Sequence, residues 1–83
     1  MYTPTYFEMA DLGYKHVPGQ SGLMIRRKIL GRILQVYIDW ENKKTTFCKI
    51  YYGQVVGIVE VESLQHLKKL TNSSIPLMNW DFR

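Results

Sequence analysis

The stretch Leu23–Tyr52 decides the fold: LMIRRKIL over 23–30, ILQVYIDW over 33–40 and TTFCKIYY over 45–52. All three segments are rich in β-branched and aromatic residues, which favours strand over helix. Successive strand residues point to opposite faces, so alternation sorts each segment into two sets. In 33–40, Leu34, Val36, Ile38 and Trp40 form the set expected to face the core, and Ile33, Gln35, Tyr37 and Asp39 the opposite set. In 45–52, Thr46, Cys48, Ile50 and Tyr52 alternate with Thr45, Phe47, Lys49 and Tyr51. In 23–30, Leu23, Ile25, Arg27 and Ile29 alternate with Met24, Arg26, Lys28 and Leu30.

The connections between these segments suit antiparallel pairing. Gly31 lies between the first two and supplies the positive φ that tight hairpins use. Glu41-Asn42-Lys43-Lys44 joins the second and third, with Asn42 as the residue that tolerates a left-handed conformation. Gly53 ends the third strand. Gln54–Val59 (QVVGIV) reads as a short fourth strand interrupted by Gly57, or as an extended lead-in to a helix.

Helices flank the sheet. Thr3 as cap, Pro4 at the first helical position and Gly13 just past the end predict a short helix over Pro4–Leu12. Tyr6, Phe7, Ala10 and Met9 are expected to pack it on the sheet. His16–Gly22 reads as loop. Val61, Leu64, Leu67 and Leu70 have helical spacing and predict a second helix over Val61–Leu70. Glu60 and Glu62 would sit at its N-terminal end and Lys68 and Lys69 at its C-terminal end, complementing the helix dipole. Thr71-Asn72-Ser73-Ser74 would stop it. Residues 72–83 form an apolar C-terminal tail, carrying Ile75, Leu77, Met78, Trp80 and Phe82. It either docks on its own domain or serves a partner, a second copy included.

The fold class that follows is α+β. It has an antiparallel sheet of three to four strands, a short N-terminal helix and a C-terminal helix, in the order α-β-β-β-(β)-α. The 83 residues make one small domain. A hydrophobic content of 46% and an aromatic content of 13% place it among folded rather than disordered chains. The net charge of +4 permits nucleic acid or an acidic protein surface as partner without demanding either.

Cys48 is the lone cysteine, so the chain has neither an intrachain disulfide nor a multi-cysteine metal site. A single mid-strand thiol and no signal peptide lead us to expect a cytoplasmic setting. No apolar run approaches the ~18 residues a membrane-spanning helix needs, and no membrane partner is expected.

Chemistry-bearing motifs are sparse. His16 and His66 have no carboxylate, cysteine or second histidine at metal-ligand spacing. The serines lack a nucleophile-elbow context, and glycine-rich phosphate loops are absent. Neither a cofactor nor an enzymatic activity is expected. The candidate site is instead the sheet face opposite the core, where Arg26, Lys28, Gln35, Tyr37, Phe47, Lys49 and Tyr51 would lie together. Basic side chains interleaved with aromatics bind single-stranded nucleic acid through phosphates and stacked bases. The plainer reading is an ordinary outer face with aromatic cross-strand pairs. A one-residue slip in register would invert the face. Trp80 and Phe82 of the tail are the remaining candidate partner contacts.

The order of FEMADLGYK (7–15), IDWENKKTTFCKIYY (38–52) and VEVESLQHLKKL (59–70) resembles a group of small proteins from phages and prophages of low-GC Gram-positive bacteria. Their pattern is a short helix ending L-G-Y, a hairpin turn of type D-x-x-N-K-T-F and a terminal helix opening I-T-x-E-E-L. Here Leu12-Gly13-Tyr14, Asp39 to Phe47 and Val59 to Leu64 stand at those places, so the resemblance covers residues 6–70. Glu60 departs from the pattern by replacing a capping threonine, and the Ile75–Arg83 tail is additional. The resemblance implies an α-β-β-β-α arrangement and a host bacterial cytoplasm, and it carries over no functional residue.

Two function classes follow as expectations. One is a non-enzymatic protein-binding module, a phage-encoded inhibitor or modulator of a bacterial host protein or defence complex, acting by anti-CRISPR-like occlusion. The other is a small basic nucleic-acid-binding protein that uses the aromatic and basic sheet face. A homodimer, formed through an edge strand or the tail, fits either class.

Overall fold

The structure is a computed structural model that describes residues 1–27 and 31–74. The chain runs α1 (Tyr6–Asp11), β1 (Lys15–His16), β2 (Leu23–Arg27), β3 (Arg32–Asp39), β4 (Lys44–Tyr51), β5 (Gln54–Val61) and α2 (Leu64–Ser73). The strands form a single antiparallel sheet in the order β1-β2-β3-β4-β5. The class is α+β, as the sequence implies, with five strands. The added strand is β1, whose His16 lies in the stretch read as loop and whose Lys15 lies just before it. QVVGIV is a full strand that continues to Val61. The end of LMIRRKIL, with Lys28, and the 75–83 segment, with Trp80 and Phe82, lie outside the described residues.

Helix α1 begins later than its proline suggests. Thr5, not Thr3, is the cap. Its Oγ1 accepts the Glu8 N–H at 3.1 Å, and Glu8 Oε1 accepts the Thr5 N–H at 2.9 Å. This reciprocal box needs an acid three residues after the cap, which Thr5 has and Thr3 lacks. The helix ends as expected at Gly13, with φ +89°. Gly13 donates to the Ala10 carbonyl and Tyr14 to the Met9 carbonyl, each at 3.0 Å, the paired bonds of a Schellman ending. The motif turns Met9 and Tyr14 into the same core. A helix of six residues has room for little buried surface, and Met9 takes it. Tyr6, Phe7 and Ala10, expected on the sheet, are exposed, Phe7 to 82%.

Helix α2 starts at Leu64, because Ser63 caps it by accepting the His66 N–H at 3.0 Å. His66 Nδ1 in turn accepts the Glu62 N–H at 3.1 Å, one residue before the cap whose N–H a capping box would bind. Val61, read as the first helical residue, stays in β5 and is buried there. The expected charge complement to the dipole fails with this shift. No acid lies in the first turn and no base in the last. The helix also runs through Thr71-Asn72-Ser73, read as its stop, because Thr71 is buried and bonded to Tyr14 at 2.8 Å.

Both helices cover the same sheet face. The core holds Met24 of β2, Leu34, Val36 and Ile38 of β3, Phe47 of β4 and Val61 of β5, closed by Met9, Tyr14 and Leu67. Thr45 is buried beside Val61 and donates its hydroxyl to the Tyr2 carbonyl at 2.7 Å. Two turns use left-handed residues. Lys43, not Asn42, takes the positive φ (53°) in the 40–43 loop, while Asn42 binds back to Asp39 through its N–H and its side chain. Tyr52 (φ 48°) and Gly53 (φ 82°) together make the two-residue β4–β5 turn, the pattern of a type I′ hairpin. Among the described residues, no helix is long and apolar enough to cross a membrane.

Candidate functional site

The residues read from the sequence as one basic, aromatic face are divided by the sheet. Pairing aligns Arg26, Leu34, Lys49 and Gly57 across the strands, and Met24, Val36, Phe47 and Val59 beside them. Arg26, Phe47, Lys49 and Tyr51 therefore belong to the helix-covered side with Leu34 and Val36. Gln35 and Tyr37 belong to the other. Phe47 is buried in the core. Arg26 donates its guanidinium to the Leu12 carbonyl. The ring of Tyr51 carries the Arg32 guanidinium at 5.0 Å and meets Tyr52 edge-on at 4.7 Å. Among the described members of the set, Arg26 and Phe47 are thus engaged within the fold, and Tyr37 stands half-exposed on the open face.

That open face is the first surface of interest. Following the register, one row is Leu23, Tyr37, Thr46 and Glu60, the next is Lys15, Ile25, Gln35, Cys48 and Ile58, and the next is Arg27, Ile33, Ile50 and Val55. Ile58 and Val55 are among the most exposed apolar residues, and no residue with a described side chain in these rows is buried. An antiparallel sheet with one wet face ordinarily alternates apolar and polar residues. Here isoleucine occurs in β2, β3, β4 and β5 on the outward side. Cys48 sits among them with its thiol pushed up by burial.

The second surface is an aromatic corner at the end of the sheet. The Tyr6 ring stands between His16 (centroids 5.3 Å apart, edge-on) and Trp40 (5.6 Å, tilted). Tyr6 Oη and Trp40 Nε1 both donate to the Ser21 carbonyl, at 2.9 and 3.2 Å. This shared acceptor fixes α1 to the β3 end and holds the rings in place. Phe7, the next residue on α1, is exposed as well. His16 also lines an open cleft of about 570 Å³ with Gly13, Lys15, Val17, Pro18, Ile25 and Arg26. Sequence reading placed Tyr6 and Phe7 in the core and treated His16 as isolated. The signal for the corner was the length of α1, too short to bury all of its aromatics.

Among the described residues, no three His, Cys, Asp or Glu side chains converge on a metal-sized site. Asp39 is held below the usual carboxylate range by the Asn42 side chain and then its N–H, a turn contact. Compared with known proteins, the chain matches no family model, no curated protein and no solved structure.

Proposed function

We propose that this is a non-enzymatic protein-binding module, a phage-encoded inhibitor or modulator that occludes a bacterial host protein or defence complex. The observation that carries the reading is the aromatic corner. Tyrosine and tryptophan dominate the energetics of protein interfaces when they are rigid and clustered, and an aromatic side chain at 82% exposure such as Phe7 forgoes its burial energy in the free protein. The corner includes His16 on a chain of net charge +4. A partner with an apolar pocket and an acidic rim fits both features. The nucleic-acid alternative loses its proposed face, since Arg26, Phe47, Lys49 and Tyr51 are turned away from Tyr37.

The test is affinity capture from lysates of low-GC Gram-positive hosts with the full chain, beside a Phe7→Ala variant. Phe7 contributes nothing to the core, so the variant keeps its unfolding midpoint. The reading expects a defined protein that wild type retains and the variant releases. Equal retention by both, or no specific protein from any host, refutes it.

A further inference from the structure

We propose that the open sheet face is a self-association surface: two copies stack face to face about a two-fold axis parallel to the strands, so that β1 of one lies over β5 of the other. This goes beyond the partner-binding reading and uses a different surface.

The first argument is composition. The middle of the face is Ile25, Ile33, Tyr37, Cys48, Ile50 and Ile58, with only Gln35 and Thr46 between them. Charged residues stand toward its margins: Lys15 on β1 at one edge, Glu60 on β5 at the other, Arg27 in the last position of β2, and Asp39 with Lys44 at the β3–β4 turn end. An apolar centre with a charged margin is the anatomy of an interface. Sheets that pack face to face keep their strands nearly aligned, with layers about 10 Å apart.

The second argument is charge complementarity, and it selects the symmetry. An axis across the strands would set Lys15 over the partner's Lys15 and Glu60 over the partner's Glu60. An axis along the strands sets β1 over the partner's β5 and brings Lys15 to the partner's Glu60 at both margins. Lys15 and Glu60 belong to neighbouring rows, offset by about 7 Å along the strand. Across a layer spacing of about 10 Å this leaves Cα atoms about 12 Å apart, which a lysine and a glutamate side chain bridge together.

The third argument is area. Five strands at about 4.8 Å spacing and about 20 Å of strand length give about 400 Å² in projection, or on the order of 600–800 Å² of corrugated accessible surface per copy. That reaches the lower range of stable interfaces, so the dimer is expected in the micromolar range rather than as an obligate assembly. The assembled sandwich would keep both helices of each copy outside and leave both aromatic corners open, since Tyr6, Phe7 and Trp40 belong to the helix side and the sheet end.

Sedimentation equilibrium of the full chain over about 1–300 μM at near-physiological salt tests the proposal. Wild type is expected to pass from monomer to dimer over that range. Ile58→Glu should weaken the dimer at least about tenfold with unchanged circular dichroism and unfolding midpoint, because Ile58 is 63% exposed in the single chain. Lys15→Glu and Glu60→Lys should each weaken it, and the double exchange should recover it. A chain that stays monomeric over the whole range overturns the proposal, as does a dimer indifferent to Ile58→Glu. A full chain that dimerises only once Trp80 and Phe82 are changed to serine would show the face covered by the C-terminal segment instead, and a dimer lost on that change would assign association to that segment. Both outcomes overturn the proposal. Failure of the double exchange to rescue would overturn the two-fold arrangement.

Discussion

The Tyr14–Thr71 hydrogen bond should be the most informative single contact to break. The two hydroxyls are 2.8 Å apart and both residues are buried. Tyr14 follows α1 and Thr71 lies on α2, so the bond ties the two ends of the described chain across the core. Replacing Tyr14 with phenylalanine keeps the ring and strands the Thr71 hydroxyl. A buried polar group left without its partner costs about 1–3 kcal/mol. Thr71 can in part recover by bonding back along its own helix, so the expected loss is about 1.5 kcal/mol. At about 4–8 °C per kcal/mol for a domain of this size, the midpoint should fall by about 6–12 °C. Thr71→Val should cost a similar amount, by stranding the phenol.

The double variant removes both hydroxyls and leaves an apolar contact of nearly the same shape. It should therefore cost clearly less than the sum of the singles, with a coupling energy of about 1 kcal/mol. The assay is urea unfolding of all four proteins, followed by fluorescence and circular dichroism, with equal m-values as the check on two-state behaviour. Additivity within about 0.3–0.5 kcal/mol would refute the reasoning. A pH series supplies an independent reading. Burial pushes the Tyr14 phenol up to about 12, with the Thr71 bond and the Arg26 charge opposing it. The raised value means that the stabilisation is complete below the unfolded value near 10 and is lost as pH rises from there through about 12. At 1.36 kcal/mol per unit this is at most about 2.7 kcal/mol. Tyr14→Phe should remove this part of the alkaline loss. Tyr2 is also raised to about 12, by burial first and then by the Glu8 charge and hydrogen bond, so a residual alkaline slope should remain.

A methyl group on Gly22 would sit within the Ile38 backbone carbonyl, so Gly22→Ala must part β2 from β3 and should lower unfolding free energy by about 2–3 kcal/mol in urea. Ser63→Ala removes the cap of α2 and should cost about 1 kcal/mol by the same assay; a neutral result would mean that His66 and Glu62 hold the helix start alone. Leu34, fully buried at the centre of the sheet, should cost about 2–5 kcal/mol when cut to alanine. Short oligonucleotides followed by fluorescence anisotropy should show no tight binding that weakens steeply with salt. Binding with that salt dependence, abolished by Arg26→Glu, would restore the nucleic-acid reading.

The sequence carried the strands more clearly than the faces. β3 was legible because Leu34, Val36 and Ile38 alternate with Gln35, Tyr37 and Asp39, and the first set is indeed the buried one. β4 was not. Thr46, Cys48 and Ile50 look as suitable for a core as Thr45 and Phe47 do, and Lys49 with Tyr51 pulled the wrong set outward. In β2, Leu23 and Ile25 outbid Met24 by hydrophobicity, yet Met24 is the buried residue. The same cause underlies both errors. When the open side of a sheet is also apolar, alternation no longer distinguishes its faces. β1 escaped notice for another reason: Lys15 and His16 are polar, and only their pairing with Ile25 and Met24 makes them a strand. For α2, the Ser63 cap with its partner three residues on was a better start signal than the apolar stripe reaching back to Val61.

The two-sided apolar character of this sheet bears on how the protein acts. A layer that is apolar on both faces is physically suited to lie between two others, and the described helices supply one of them. Burying Ile58 and Val55, both more than half exposed, would gain about 1 kcal/mol or more for each side chain. A handful of such contributions approaches the 8 kcal/mol of a micromolar association, once the cost of bringing two molecules together is met. The helix side has a smaller reserve, because most of its apolar residues are already in the core, with Val59 the exception. Two of the exposed aromatics, Tyr6 and Trp40, meet at the corner, where the Ser21 carbonyl holds them in place without any partner. Fixed aromatic rings at one site and a broad aliphatic face at another have different geometries. The first suits insertion into a pocket and the second suits another flat sheet. If the second copy takes the sheet, each assembly presents two corners, and a partner with two sites would be held by an effective concentration that a single copy lacks.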